Sequence, residues 1–488
     1  MTFGPGPLTG PRPAKNPLLM KKTLYLTVAV LILAACGCGK PQTLPVIPSG
    51  TSSETGGKET LPDPQPGGNT DPETTGTYAT EVLSLPATAR DHYQIYQVNL
   101  KLYGNSGAFG KVQARLDEIK ALGTDILYLM PVYAEGKDVL PGMPGNKPFG
   151  SPYCIKDYKT VNSLYGTLDE LKSLVKAAKD KGMKVMFDWV ANHTSWDNVW
   201  LSEHPEWYEH KADGSIAWPT KDGEWKDVAQ LDYSKKELWA AMEDALEYWV
   251  KELDIDGYRC DYAHGVRDDF WKEAISRLKT LKPGFIMLAE SDFERMFDDG
   301  FDIIFDRAMK SRMVSLIGSS SSKSFFTWFK GDQDKTPAPK TKLFFVTNHD
   351  DATSDVPSTQ FKSADGALAA YVLMAALNGS SMLYGSQEVG YGKTINFFNT
   401  QTMDWSANSA LKIKYQEALQ ALSKVDRSGA MTASESAGVV FVAYPKALVA
   451  VNISGKEAKA SFPKAHSGKN GIPTSQTFGA YEFKIWNL

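Results

Sequence analysis

In the stretch "DIDGYRCDYAHG", Asp254 to Gly265, an arginine and a carboxylate stand two positions apart where a short apolar run ends. The two-residue period of a strand puts Arg259 and Asp261 on one face and turns Tyr258 and Cys260 to the other. Other short apolar runs end in the same way. "KVMFDWVANH" carries Asp188 and continues to Asn192 and His193, "FIMLAE" closes on Glu290, and "FFVTNHD" closes on Asn348, His349 and Asp350. A single Asp or Asn at a strand end is equally well explained as a cap or turn former. Four such ends, with an arginine and histidines among the carboxylates, suit covalent and acid–base chemistry. One carboxylate would be kept ionised to attack or to stabilise positive charge, and another kept protonated to give a proton away. A structural network of ion pairs has no reason to draw its members from four separate strand ends.

Something must bring those ends together. From about residue 90 the chain alternates short apolar strands with longer amphipathic segments. The strand candidates are "YQIYQVNL", "DILYLMPV", "KVMFDWV", "DIDGYRC", "GFIMLAE", "FDIIF", "KLFFVTN" and "SSMLYG". Eight strands alternating with helices predict an α/β protein built on a closed parallel (β/α)8 TIM barrel, whose active site gathers at the C-terminal ends of the strands. The catalytic region is read as 85–428. It holds an insertion at 194–233, after the third strand, in which Trp196, Trp200, Trp207, Tyr208, Trp218 and Trp225 are dense for a polar loop region. Such aromatics serve either a small core or stacking against the flat face of a ligand. After 428 the short runs "GVVFVAYP", "ALVAVNIS" and "GAYEFKIWNL" read as a C-terminal antiparallel β-sandwich, 429–488.

The chain has 488 residues, 42% of them hydrophobic, enough for a large core and more than one domain. A formal charge of −4 and the lack of a basic tract argue against a nucleic-acid partner and favour a neutral or weakly charged ligand. Four cysteines, at 36, 38, 154 and 260, make neither a zinc pattern nor a disulfide scaffold. From Met20, "MKKTLYLTVAVLILAACGCGK" has a basic start and an apolar run suited to export. Its "LAAC" resembles a bacterial lipobox, which implies cleavage before Cys36, lipidation of that residue, and a membrane-anchored lipoprotein at the cell surface or in the periplasm. Residues 1–36 are then an upstream segment and signal peptide, with 1–19 ahead of the real start. Residues 37–84, rich in Pro, Gly, Ser and Thr, are expected to be a disordered linker.

At the strand-end segments "DWVANH", "GYRCDYAH", the "E" after "IMLA" and "TNHD", the sequence resembles the alpha-amylase family of retaining glycoside hydrolases, from about Ile95 onward. "GSPYCIKDYKTVNSLYGT" and "LYGSQEVG" support the match. The resemblance implies Asp261 as nucleophile, Glu290 as general acid/base and Asp350 as the third carboxylate. It implies Arg259 beside the nucleophile, His193 and His349 on sugar hydroxyls, Tyr153 beneath the sugar, and Asp188 ordering the floor. His264 falls where many members have a sugar-binding lysine. The implied substrate is an alpha-1,4-glucan such as starch or a maltooligosaccharide. A transglycosylase of the same family and a catalytically silent glucan-binding lipoprotein are the alternatives. The chain is taken as a monomer with no organic cofactor. Retaining hydrolysis needs the two carboxyl groups in different protonation states. Arg259 is expected to hold Asp261 ionised, while burial and two acidic neighbours raise Glu290.

Many members also hold a structural calcium between barrel and insertion. Asn192 and Asp232 match two of its ligands, and Gly265 replaces a histidine whose carbonyl is the third. Calcium accepts a carbonyl from any residue type, and Glu209, Asp213 or Asp227 could complete the set. The alternative is that Asn192 and Asp232 bond each other's loops directly in place of the ion.

Overall fold

The computed structural model describes residues 77–136 and 151–488; Cys36, the lipobox and most of the expected linker lie outside them. The eight barrel strands are Gln94–Val98, Ile126–Leu129, Lys184–Val190, Gly257–Asp261, Ile286–Ala289, Ile303–Phe305, Thr341–Phe345 and Ser380–Tyr384. Each pairs with the next in parallel, and the eighth closes on the first. All eight coincide with the apolar runs read from the sequence.

Strand alternation sorts the side chains. Ile95, Ile126, Met186, Leu288, Ile303 and Leu343 belong to one buried cluster inside the barrel. Their neighbours Leu127, Val185, Phe187, Tyr258 and Met287 point outward into the larger core beneath the helices. Helices Leu168–Asp180, Lys236–Leu253 and Asp268–Leu281 supply three of the crossovers. The first begins at a capping box in which Thr167 and Glu170 satisfy each other's backbone N–H groups.

The insertion after the third strand holds little regular structure. Its base is a two-stranded ladder of His193–Thr194 with Ala229–Gln230. Trp196, Trp207 and Tyr208 are buried in it, and Trp200 stacks on Tyr158 at 4.9 Å. Most of its aromatics are therefore core.

At the C-terminus, Met431–Ser436, Val439–Tyr444, Ala447–Asn452 and Phe483–Asn487 form an antiparallel sheet, accompanied by a separate ladder of Ala458–Ser461 with Ser475–Phe478. One face carries Val440 and Val442 into the main core, while Val439 and Phe441 pack with Phe462 and Phe478. The sheet has a fifth member, Thr80–Leu85, antiparallel to Met431–Ser436. This corrects the linker boundary at 84. The run "TEVLSL" buries Leu83 and Leu85, but its partner lies at the far end of the chain, so no local pattern announces the pairing. No helix among the described residues is long and apolar enough to cross a membrane.

Candidate active site

The apolar interior gives way to charge at the C-terminal end of the barrel. Asp188 on the third strand is the register partner of Arg259 on the fourth, so the two occupy one layer. Arg259 is fully buried. Its Nη1 donates to Asp188 Oδ1 at 2.7 Å and to Asp261 Oδ1 at 2.9 Å, and its Nη2 lies 3.0 Å from Glu290 Oε2. Three carboxylates from three strands thus share one guanidinium. Asp188 also accepts from Tyr128 and, at 3.0 Å, from Tyr153. The Tyr153 hydroxyl bonds His349 Nε2 at 2.6 Å, the two rings stack at 5.2 Å, and Gln97 Nε2 holds His349 Nδ1 at 2.9 Å.

Above this floor lies a cavity of about 380 Å³ lined by Tyr153, His193, Asp261, Glu290 and Asp350. Trp225, Tyr262, Phe397 and Phe398 supply apolar and aromatic walls. Polar groups at the bottom and flat faces at the sides suit a ring with hydroxyls around its edge. A larger cleft of about 610 Å³ opens at the other end of the barrel, by Arg90, His92, Asp125 and Arg427. There Arg90 and Arg427 donate to backbone carbonyls of Lys340, Gln333, Val425 and Ala375. Those bonds close loops and helix ends, and barrel chemistry belongs to the opposite face.

The protonation pattern reverses the expectation. Burial favours the neutral form of Glu290, but Arg259, Arg307 and the Tyr262 N–H outweigh it and hold this carboxylate below its usual range. Arg307 Nη2 sits 2.6 Å from Glu290 Oε1, and the Tyr262 N–H donates to Oε2 at 2.8 Å. Among the described residues, Asp261 has one cation, Arg259, which it shares. Burial pushes it well above its usual range, with Glu290, Asp188 and Asp350 adding to the rise. The second cation on Glu290 decides the difference. Burial and then the Glu290 charge raise Asp350 to about 6. Burial takes His193 down to about 4, and burial with Arg259 takes His349 to about 3. Both histidines are neutral near pH 7.

Two other expectations change. His264 does not line the cavity: its Nε2 lies 3.4 Å from Asp222 of the insertion, and its ring packs edge-on to Tyr262 and Phe293. Asp222 also accepts from the Tyr262 hydroxyl. His264 therefore ties the insertion to the barrel rather than reaching the cavity.

The residues expected to hold calcium do not fit the ion as arranged. Asn192 Oδ1 is close to Gly265, where an added Cβ would stand 2.9 Å from it. Of the expected ligands, Asn192 Oδ1 already has an amide beside it: Gln230 Nε2 lies 3.3 Å from that oxygen, 2.9 Å from Asn192 O and 3.1 Å from Leu231 O. Asp232 turns away, accepting from the Ser234 N–H at 2.9 Å with Lys235 at 3.8 Å. Among the described residues, no group of three or more His, Cys, Asp or Glu side chains is placed to hold a metal.

Sequence reasoning missed Arg307, Gln230, and Phe397 with Phe398. Arg307 follows the sixth strand in "FDIIFDR", so the strand-end rule that found Glu290 also reaches it when read two residues further.

The alpha-amylase catalytic-domain family model matches residues 94–281. An alpha-1,4-glucan:maltose-1-phosphate maltosyltransferase of Rhodospirillum rubrum is 33% identical over 240 residues, 46% of this chain and 32% of that protein. An alpha-amylase of Haloarcula japonica is 27% identical over 331 residues, 64% of this chain and 46% of that one. The chain thus spans about a third of the length of one of these curated relatives and under half of the other. Among solved structures, an alpha-amylase from Lactobacillus plantarum superposes with a TM-score of 0.68 at 29% identity, covering 81% of this chain and 98% of that one.

Proposed function

Since this chain belongs to the alpha-amylase family, we propose that it cleaves alpha-1,4-glucosidic bonds of starch or maltooligosaccharides with retention of configuration, by double displacement. One observation carries the reading: Asp261, Glu290 and Asp350, from three different strand ends, line a single cavity floored by Tyr153. In the first step the proton held between the two carboxyls must sit on Glu290: Asp261, ionised, attacks the anomeric carbon while Glu290 gives that proton to the glycosidic oxygen, and the leaving sugar departs. In the second, Glu290 takes a proton from water, the oxygen attacks the same carbon, and Asp261 is released. Positive charge at the anomeric centre is met by Asp261 and Asp350. His193, being neutral, can bond a sugar hydroxyl without adding positive charge where it is already developing, while His349, held at both ring nitrogens by Gln97 and Tyr153, braces the tyrosine that floors the cavity.

The maltosyltransferase relatives favour a second reading in which a sugar hydroxyl replaces water in the second step. Incubating the purified protein with soluble starch, pullulan, isomaltose and trehalose, and following products over time, separates the two. Hydrolysis yields only shorter chains, beginning as alpha-anomers; transfer yields products longer than the substrate. No reaction on any of them would overturn both. The same proposal places the enzyme on a bacterial membrane through a lipidated Cys36, a reading supported by "LAAC" after a basic and apolar run. Glucans too large to import suit an outward-facing site.

A further inference from the structure

We propose that Arg307 is a displaceable guard on the acid–base carboxylate, capping the oxygen of Glu290 that must deliver the proton until the leaving-group end of the substrate moves it aside. The inference rests on the reading of Glu290 as general acid. Glu290 has two oxygens with different company. Oε2 accepts the Tyr262 N–H at 2.8 Å and faces Arg259 at 3.0 Å. Those groups belong to the fourth strand and the residue after it, and they do not move without the barrel. Among the described residues, the one hydrogen-bond partner of Oε1 is Arg307, at 2.6 Å. A carboxylic acid can keep accepting at one oxygen while the other carries its proton, so Oε1 is the oxygen free to act. The glycosidic oxygen must come within hydrogen-bond reach of Oε1, and Arg307 Nη2 already occupies such a position.

Arg307 is able to leave. It opens the helix Arg307–Leu316, its side chain is 44% exposed, and a second carboxylate stands ready. Asp292 Oδ2 is 3.1 Å from Nη1, and Asp292 Oδ1 accepts the Arg307 backbone N–H at 3.1 Å. The guanidinium can give up Glu290 and keep Asp292. The other charged or titratable groups that face Glu290 are Arg259 and Asp261 on the fourth strand, Tyr262 after it, His193 after the third, and His349 with Asp350 after the seventh. Of the two cations, only Arg307 is on the solvent side. With it in place Glu290 is ionised and cannot act as an acid; with it displaced, the proton affinity of Glu290 rises and the acid is loaded. Arg307 is thus a positioning residue that couples arrival of the leaving group to protonation.

The test compares wild type, Arg307→Gln and Arg307→Lys by the pH dependence of kcat/KM, using maltopentaose and maltosyl fluoride. The sugar leaving group needs the proton and fluoride needs it far less. The basic limb of kcat/KM reports the acid in the free enzyme. An adjacent opposite charge lowers a carboxyl by about one to three pH units, and the half-exposed Arg307 belongs at the low end, about one. On maltopentaose, the basic limb of Arg307→Gln should therefore move up by about one pH unit, roughly a tenfold larger share of its own maximum retained above the wild-type limb. Arg307→Lys should keep the wild-type limb, and on maltosyl fluoride the limbs of all three should be flattened. A limb for Arg307→Gln that coincides with wild type overturns the proposal, as does a Lys variant shifted as far as the Gln variant. If wild type cleaves neither substrate, the reading of Glu290 falls and the inference with it. If wild type is active and the limbs coincide, only the inference falls.

Discussion

Replacing Arg259 by methionine keeps most of the side chain's length and removes its charge. The structure says which groups suffer. Asp188 retains Tyr128 and Tyr153, and Glu290 retains Arg307 and the Tyr262 N–H. Asp261 loses the one side chain among the described residues that donates to it. Removing one partner from a buried ionic cluster costs about 3–5 kcal/mol, because the charges left behind are uncompensated. An unfolding entropy of about 2.1 cal/mol/K per residue over roughly 400 ordered residues gives about 0.8 kcal/mol/K, so the variant should melt about 4–6 °C lower. The loss should depend on pH with a definite sign. Burial already pushes the Asp261 carboxyl well above its usual range, and without Arg259 its folded-state pKa moves still further above the unfolded value of about 4. Such groups favour the folded state below the unfolded pKa, and that support is lost as pH rises through the folded pKa. Calorimetric melts at about pH 5 and pH 8 should therefore show the gap between variant and wild type widening toward pH 8. An equal gap at both pH values would mean that lost packing, and not stranded charge, explains the damage, and the reasoning would fail.

Asp261→Asn removes the nucleophile and Glu290→Gln the acid; each should lower turnover on starch at least about a thousandfold with an unchanged circular dichroism spectrum, and more than a tenth of wild-type rate in Asp261→Asn would remove Asp261 from its role. Because the Gln230 amide lies beside Asn192 Oδ1 and Asp232 is turned to the Ser234 N–H, the melting temperature should be the same in chelator and in millimolar calcium; a rise on adding calcium would reveal a bound ion by mass action. Cys36→Ala, expressed from Met20, should leave the membrane fraction or stay unprocessed, and a variant anchored and matured like wild type would sink the lipidation reading.

The barrel was legible because each of its strands is buried on both faces and reads as a short apolar run, and because the charged residues sit where those runs stop. Asp188, Arg259, Asp261, Glu290 and Asp350 all declared themselves by that position. What stayed hidden depends on contacts between distant segments. The ionisation of Glu290 hinges on Arg307, seventeen residues away and on another strand end. The fate of the calcium ligands hinges on a glutamine amide that no metal pattern includes. His264 was misplaced because a sequence position matched to a family role says nothing of Asp222, 42 residues back, which holds the ring elsewhere. The edge strand Thr80–Leu85 looked like the end of a polar tether, as its partner is not near in the chain.

That strand also sets a timetable. Thr80 pairs with Glu435 and Leu85 with Met431, so some 350 residues must be made between the two halves of the ladder. At roughly 5–20 residues per second, the wait is on the order of 20–70 s. During that interval Thr80–Leu85 has no sheet to join, while the eight barrel strands emerge in the order in which they pair. The barrel can assemble progressively as the chain emerges, whereas the C-terminal sheet can be completed only after nearly the whole chain exists, and a chain stopped short of residue 431 leaves Thr80–Leu85 without a partner.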